Sequence, residues 1–214
     1  MISLDEQVWL LNTPLQLKFI SLRPHPWTKF LLVSSMKVTL VDGGSSSTEE
    51  LRRFLLMAGS SEVHVLRLGD KFVKADAYVF SGRARKDKEV DRWVSGLIKA
   101  VISSKRPALL ICYSAEHFNL LRGGRLMKAL KPVKGFIEVE FLKPSKIWPR
   151  KEVIRFYESR MYIISKLGDG VEVLGRSKEL GVEAFRYLNV YGVLFHPELS
   201  GDQGLTLLRR FLKG

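Results

Sequence analysis

The chain has 214 residues, 46% hydrophobic and 27% charged, a composition typical of a globular protein and not of a disordered one. No uninterrupted apolar stretch approaches the ~18 residues that a membrane-spanning helix needs, and Asp5 and Glu6 stand where a secretory signal needs positive charge, so we expect a cytoplasmic protein. The formal net charge of +13 leaves three roles open: binding of nucleic acid, docking of an acidic protein partner, or an ordinary charged surface. Basic residues do not alternate with aromatic ones as in a nucleic-acid motif, so we favour the last two roles.

Residues 1–35 differ in pattern from the rest of the chain. Short apolar runs are separated by prolines, including Pro24 and Pro26, which regular helices rarely cross. We expect residues 1–35 to be an N-terminal extension outside the native core, with Met36 as a candidate natural start. Residues 36–214 would then form the functional domain. The alternative is that the extension packs on this domain.

Strands and helices alternate in the first half of the domain. The predicted strands are residues 37–41, 62–68, 76–80 and 107–111. The predicted helices are one that opens with a capping box of Ser47 and Glu50, one over residues 87–104, and one from Cys112 to about Arg122. This order predicts parallel pairing, with helices on both faces of the sheet.

The second half of the domain is richer in strands. Residues 135–142, 153–157, 170–174 and 191–195 are predicted strands, and an amphipathic helix is predicted over about residues 204–212. The expected fold is therefore an α/β fold with an open, mostly parallel sheet between two helical layers, as in flavodoxin-like proteins.

Cys112 is the first candidate for chemistry. The apolar run at residues 107–111 predicts a strand buried on both faces, and Cys112 stands between this strand and a helix. A helix N-terminus stabilises a thiolate, which favours a nucleophile, whereas a free cysteine is more often a small buried hydrophobic residue. A single cysteine excludes an internal disulfide and is too little for a structural zinc site, so we predict no metal.

His196 and Glu198 are the second candidates, because they follow the last predicted strand and flank Pro197. The histidine would serve as general base to the thiol, and the glutamate would orient the imidazole. The alternative is an ordinary turn with a solvated acid. His117, about one turn after Cys112, is a weaker candidate for the base.

These segments together resemble the class I (triad) glutamine amidotransferases over most of the chain. Residues 191–198, Tyr-Gly-Val-Leu-Phe-His-Pro-Glu, nearly repeat the family's Tyr-Gly-Val-Gln-Phe-His-Pro-Glu. Residues 110–116 stand where the family has Gly-Ile-Cys-x-Gly-x-Gln, and residues 76–82 resemble the approach to its Ser-Gly-Gly-Pro oxyanion loop. Residues 158–161 and 173–177 resemble in particular the glutaminase subunit of archaeal GMP synthase.

The resemblance implies a glutaminase that uses no cofactor and supplies ammonia to a partner synthetase subunit. Cys112 would attack the side-chain amide of glutamine, His196 would transfer protons, and Glu198 would orient His196. The resemblance also implies oxyanion or substrate contacts for six further residues: Gly82, Arg83, Tyr113, Glu116, Ser159 and Arg160.

Several positions depart from the family pattern. Leu110 and Ser114 replace glycines and add bulk beside the nucleophile, and Glu116 replaces a glutamine and adds charge. Arg83 replaces an oxyanion-loop glycine, where a positive φ would be costly. Arg160 and Tyr162 replace a histidine and an aspartate.

These departures fit three interpretations: a working glutaminase with altered coupling, a triad hydrolase acting on another amide, or a catalytically silent relative. We expect glutamine hydrolysis, with a silent binding or regulatory paralogue as the alternative.

Overall fold

The computed structural model describes residues 36–213, so the predicted extension 1–35 lies outside the described residues and stays a prediction. The strands are β1 (Lys37–Val41), β2 (Glu62–Leu66), β3 (Ala77–Phe80), β4 (Ala108–Ile111), β5 (Arg125–Phe141), β6 (Glu152–Lys166), β7 (Glu172–Ser177), β8 (Gly181–Tyr187) and β9 (Val190–Val193). The helices are α1 (Thr48–Met57), α2 (Lys88–Ser104), α3 (Tyr113–Leu121) and α4 (Gly201–Leu212), with a 3₁₀ turn at Pro197–Leu199.

All nine of these strands form one mixed sheet in the order β2-β1-β3-β4-β9-β8-β7-β5-β6. Strands β2, β1, β3, β4 and β9 are parallel to one another, as predicted. Strands β8, β7, β5 and β6 continue the sheet in antiparallel pairs, so the parallel part is only slightly the larger. The α/β class with an open sheet is confirmed.

Helices cover both faces of the parallel part. Helices α1 and α4 pack on one face and helices α2 and α3 on the other, each over its own apolar cluster. Strand β4 shows why its sequence is uniformly apolar: Leu109 and Ile111 enter the first cluster, whereas Ala108 and Leu110 enter the second. The carboxyl end of this doubly buried strand is therefore held rigidly, and Cys112 follows it directly.

The antiparallel part differs most from the sequence prediction. Strands β5 and β6 are far longer than predicted and form a long hairpin, whose pairing shifts register between Lys128 and Val133. Strand β8 is absent from the prediction. The predicted strand at residues 170–174 is displaced, because the strand there is Glu172–Ser177.

The predicted capping box at helix α1 is wrong. Ser47 stands at the N-cap position but makes no side-chain capping hydrogen bond. Its hydroxyl instead donates to Glu198 at 2.7 Å, because Glu198 presents a carboxylate at the same place. No helix between residues 36 and 213 is long and apolar enough to span a membrane.

Candidate functional site

The nucleophile candidate Cys112 lies at a sharp turn between strand β4 and helix α3. Its backbone has φ 50° and ψ −111°, an unfavourable conformation for a residue with a side chain. Such strain costs on the order of 1–3 kcal/mol and persists only where the surroundings enforce it. Here the Cys112 N–H donates to Val193 O at 2.8 Å, which ties the turn to strand β9. The thiol is thus held at the carboxyl edge of the sheet.

His196 and Glu198 form a buried pair at the same edge. Nδ1 of His196 lies 2.8 Å from Oε1 of Glu198, and the His196 N–H donates to Tyr157 O at 2.8 Å. The Ser47 hydroxyl also donates to Oε1 of Glu198, which fixes the carboxylate from a second side. Nε2 of His196 is buried and has no hydrogen-bond partner among residues 36–213. The ring therefore keeps one nitrogen free for proton transfer.

Gly82 brings the thiol and the imidazole together. A Cβ added at Gly82 would lie 3.1 Å from Cε1 of His196 and 3.6 Å from Cβ of Cys112, so the glycine backbone fits against both residues. The thiol itself points to Ser159 O at 3.8 Å. A rotation of the Cys112 side chain therefore precedes proton transfer to His196, and catalytic groups commonly realign in this way when substrate binds.

The loop that follows strand β3 is anchored by side chains that replace family glycines. Ser114 is buried, and its hydroxyl donates to Ser81 O at 2.6 Å. The guanidinium of Arg83 lies 3.7 Å from the centre of the Tyr113 ring and forms an ion pair with Asp91. Arg83 has no positive φ, so the backbone strain considered from the sequence does not arise.

A buried charge cluster lies behind the thiol. Nη2 of Arg160 donates to both carboxylate oxygens of Glu183, at 2.7 and 2.8 Å, and Nε lies 2.9 Å from Oε2 of Glu158. Ser177 donates to Glu183 at 2.8 Å. The side chains of Arg160, Glu158 and Glu183 are at most 1% exposed. Burial, together with the neighbouring Glu183 carboxylate, raises the pKa of the Glu158 carboxyl well above its ordinary value, although Arg160 opposes this.

The electrostatics of the site disfavour a free thiolate. Burial raises the pKa of the Cys112 thiol well above its ordinary value, and the carboxylates of Glu116 and Glu158 raise it further. The Arg160 guanidinium and the Tyr113 backbone N–H act in the opposite direction. Burial also raises the pKa of Glu116 to about 7. A proton must therefore be removed from the thiol locally, by a base such as His196.

Most of the predicted site residues surround one cavity of about 630 Å³. Its lining includes Cys112, His196, Arg83, Tyr113, Glu116, Ser159 and Arg160. Glu198 lies behind His196, and Gly82 lies against His196 and the backbone of the turn. The competing base His117 is directed away from the thiol, because its Nε2 lies 2.7 Å from Ser95 Oγ on helix α2.

Three contributors to the site were missed by sequence analysis: Ser47, Asp91 and Glu183. Ser47 was assigned to helix capping, and its proximity to Glu198 has no local signal because the two are 151 residues apart. The same holds for Glu183, which lies on the unpredicted strand β8. Asp91 lies on the predicted helix α2, and a match to a basic residue at the loop was the only available hint.

The fold and this cysteine–histidine–glutamate arrangement define a class of protein. The sequence profile of glutamine amidotransferase class-I matches residues 39–214. The chain therefore belongs to the class-I glutamine amidotransferase family.

Similar proteins narrow the comparison, and three of them are archaeal subunits named GMP synthase [glutamine-hydrolyzing]. The chain is 31% identical over 151 residues to the subunit from Thermococcus kodakarensis, covering 66% of this chain and 76% of that protein. It is 28% identical over 186 residues to the subunit from Picrophilus torridus, covering 83% and 98%. With the subunit from Pyrococcus abyssi it shares 34% identity over 113 residues, which is 50% of this chain and spans only 59% of that relative.

Solved structures support the fold. The structure of PurLQS from Thermotoga maritima has a TM-score of 0.71 at 17% identity, covering 82% of this chain and 97% of that one. A glutamine amidotransferase from the same organism has a TM-score of 0.63 at 17% identity, with 78% of each chain covered. At these identities the similarity concerns the fold alone.

Proposed function

We propose that this protein hydrolyses glutamine to glutamate and ammonia, with Cys112 as nucleophile, His196 as general base and acid, and Glu198 as the residue that orients His196. The observation that carries the proposal is the strained turn at Cys112, which holds a thiol beside a buried imidazole whose Nδ1 is already engaged by a carboxylate. Family membership supports the same reaction class.

The reaction follows from these groups. The Cys112 S–H bond breaks, the proton moves to Nε2 of His196, and Sγ forms a bond to the amide carbon of glutamine. Backbone N–H groups of Tyr113 and of the loop at residues 81–83 hold the resulting oxyanion. The C–N bond then breaks, the imidazolium protonates the leaving ammonia, and water hydrolyses the thioester with His196 again as base.

Glu198 stabilises the imidazolium that forms in both halves of the reaction. Its position is fixed by two donors to one oxygen, His196 Nδ1 and the Ser47 hydroxyl. We therefore assign Ser47 as a positioning residue for Glu198. The proposed reaction needs no cofactor or metal ion.

We propose further that the ammonia passes to a partner synthetase, as the names of the GMP synthase relatives suggest. Glutamine would be the substrate and the cytoplasm the place of action. Nucleic-acid binding remains the less favoured explanation of the basic surface. The alternative to hydrolysis is a catalytically silent binding or regulatory paralogue, favoured by one observation: the thiol points to Ser159 O, and burial raises its pKa and holds it protonated.

Covalent labelling by a glutamine-analogue diazoketone, 6-diazo-5-oxo-L-norleucine, tests the proposal by intact mass. Because Cys112 is the only cysteine, a thiol adduct has one possible position. We expect a single adduct on the full chain, none on Cys112→Ala, and ammonia release from glutamine by the unmodified protein. Reaction of Cys112 with iodoacetamide but not with the diazoketone, together with no ammonia release, would favour the silent paralogue.

A further inference from the structure

The carboxylate of Glu116 has an unfilled position beside the nucleophile. Glu116 lies in the first turn of helix α3, and its N–H donates to Cys112 O at 2.9 Å, so the two residues share one face of the helix. The residue is only 8% exposed and lines the cavity that contains Cys112. Its Oε1 is buried and has no hydrogen-bond partner in the described part of the chain. A buried oxygen without a partner costs free energy unless a ligand supplies a donor.

No cation of the described residues fills this position. The nearest candidate, Arg160, already pairs with Glu158 and Glu183, and no ion pair within 4.0 Å joins it to Glu116. Arg83 is held by Asp91 and the Tyr113 ring. These guanidinium groups, with His196, stabilise the Glu116 carboxylate only from a distance. The site thus holds a negative charge whose direct partner is missing.

We propose that Glu116 is a specificity-determining residue that binds the ammonium group of an amino-acid substrate, so that an amide bearing a primary ammonium is selected over the same amide without it. This inference rests on the proposed function and names the feature of the substrate that the site reads. A primary ammonium is compact and offers three donors, which suits a single carboxylate at the wall of a small cavity.

The same contact couples binding to activation of the nucleophile. The Glu116 carboxylate opposes ionisation of Cys112, and neutralising it with a bound cation removes that opposition. The proton then moves from Sγ to Nε2 of His196, which is free to accept it. Substrates with the ammonium group therefore promote formation of their own nucleophile.

The test compares two probes, L-glutamine and 4-carbamoylbutanoate, which share the amide and one carboxylate but differ in the ammonium group. Dissociation constants come from protection of Cys112 against iodoacetamide, a readout that needs no turnover and reports on one thiol. The unmodified protein is expected to prefer L-glutamine by about 10- to 100-fold at pH 8, the range of a charged hydrogen bond. Glu116→Gln should reduce the preference to within about threefold, and Glu116→Asp should keep part of it.

The control is Glu89→Gln, an exposed glutamate in the first turn of helix α2. It should leave the preference unchanged. A pH series gives a second readout: because the pKa of Glu116 is raised to about 7, its carboxylate forms as the pH rises from 6 to 8. The preference for the ammonium probe should therefore increase over this range, but stay flat in Glu116→Gln.

The outcomes separate this inference from the proposed function. Equal preference in the unmodified protein and Glu116→Gln, or no protection by either probe, would overturn the role of Glu116 even if diazoketone labelling and ammonia release succeed. A preference that depends on Glu116 without any ammonia release would overturn hydrolysis and leave the ammonium site standing.

Discussion

The buried charge cluster behind the thiol offers a sharp test of how this fold tolerates ionised groups. Arg160 is the cation that pairs with Glu158 and Glu183, and the three side chains are almost inaccessible to water. Arg160→Met keeps much of the side-chain length but removes the charge and both hydrogen bonds to Glu183. Removing one partner of a buried ion pair destabilises a protein by about 3–5 kcal/mol, because the remaining charges stay buried without compensation.

The pH dependence of this loss follows from the pKa of Glu158. Its folded-state pKa is raised above the ordinary value, so the folded state binds the proton more tightly and stability falls as pH rises toward that pKa. Without Arg160 the opposing influence is gone and the shift grows. The destabilisation by Arg160→Met should therefore be larger at pH 8 than at pH 5.

The measurement is urea unfolding of the full chain followed by circular dichroism at both pH values. Arg53→Met is the matched control: Arg53 pairs with Glu50 at 3.0 Å, but its side chain is 64% exposed, so a change below about 1 kcal/mol is expected. Adding Glu158→Gln to Arg160→Met should restore part of the lost stability. A loss below about 1 kcal/mol, or one that is equal at the two pH values, would refute the electrostatic explanation.

Three further predictions concern the triad and its support. Glu198→Gln removes the charge beside the imidazole of the proposed triad, so kcat for ammonia release should fall at least ~100-fold with little change in KM; an unchanged kcat would argue against the triad. Ser47→Ala removes one donor to Glu198, and kcat should fall about 3- to 30-fold, whereas Ser47→Thr should retain most activity. Gly204→Ala would place a Cβ 1.8 Å from Pro197 O and should destabilise the fold by about 2–4 kcal/mol in urea unfolding, unlike Gly96→Ala, where nothing lies within 4 Å.

The parallel half of the fold was predictable because its strands are buried on both faces. Such strands need uniformly apolar residues, and this leaves a compact signal in the sequence, as in strand β4. The position of Cys112 followed from the same signal, since a residue between a buried strand and a helix must lie at the carboxyl edge of the sheet. The proline after His196 likewise marked the end of strand β9.

The antiparallel half was less predictable because its strands are partly exposed. The hairpin of β5 and β6 carries many lysines, arginines and glutamates, and its register shift near Pro132 breaks the alternation on which strand prediction relies. Within the site, contacts between residues distant in sequence had no local signal. Ser47 illustrates this, because an N-cap serine followed by a glutamate three residues later fits a capping box equally well.

The positions that depart from the family pattern are mostly compensated within this chain. Ser114 adds a hydroxyl where the family has hydrogen, and that hydroxyl is satisfied by Ser81 O. Arg83 adds a charge at the oxyanion loop, and Asp91 on helix α2 neutralises it. Each substitution thus has a partner on another element, which ties the loop more firmly to its surroundings than a glycine would.

Arg160 follows the same logic, because Glu183 accepts two hydrogen bonds from its guanidinium and neutralises a charge that would otherwise be costly to bury. Glu116 is the exception. It adds a negative charge beside Cys112, yet its buried oxygen has no partner among residues 36–213. A chain that compensates its other substitutions from within, but leaves this one open towards the cavity, is arranged for a partner that arrives with the substrate. This contrast, more than the charge itself, is the reason to look for an ammonium group at Glu116.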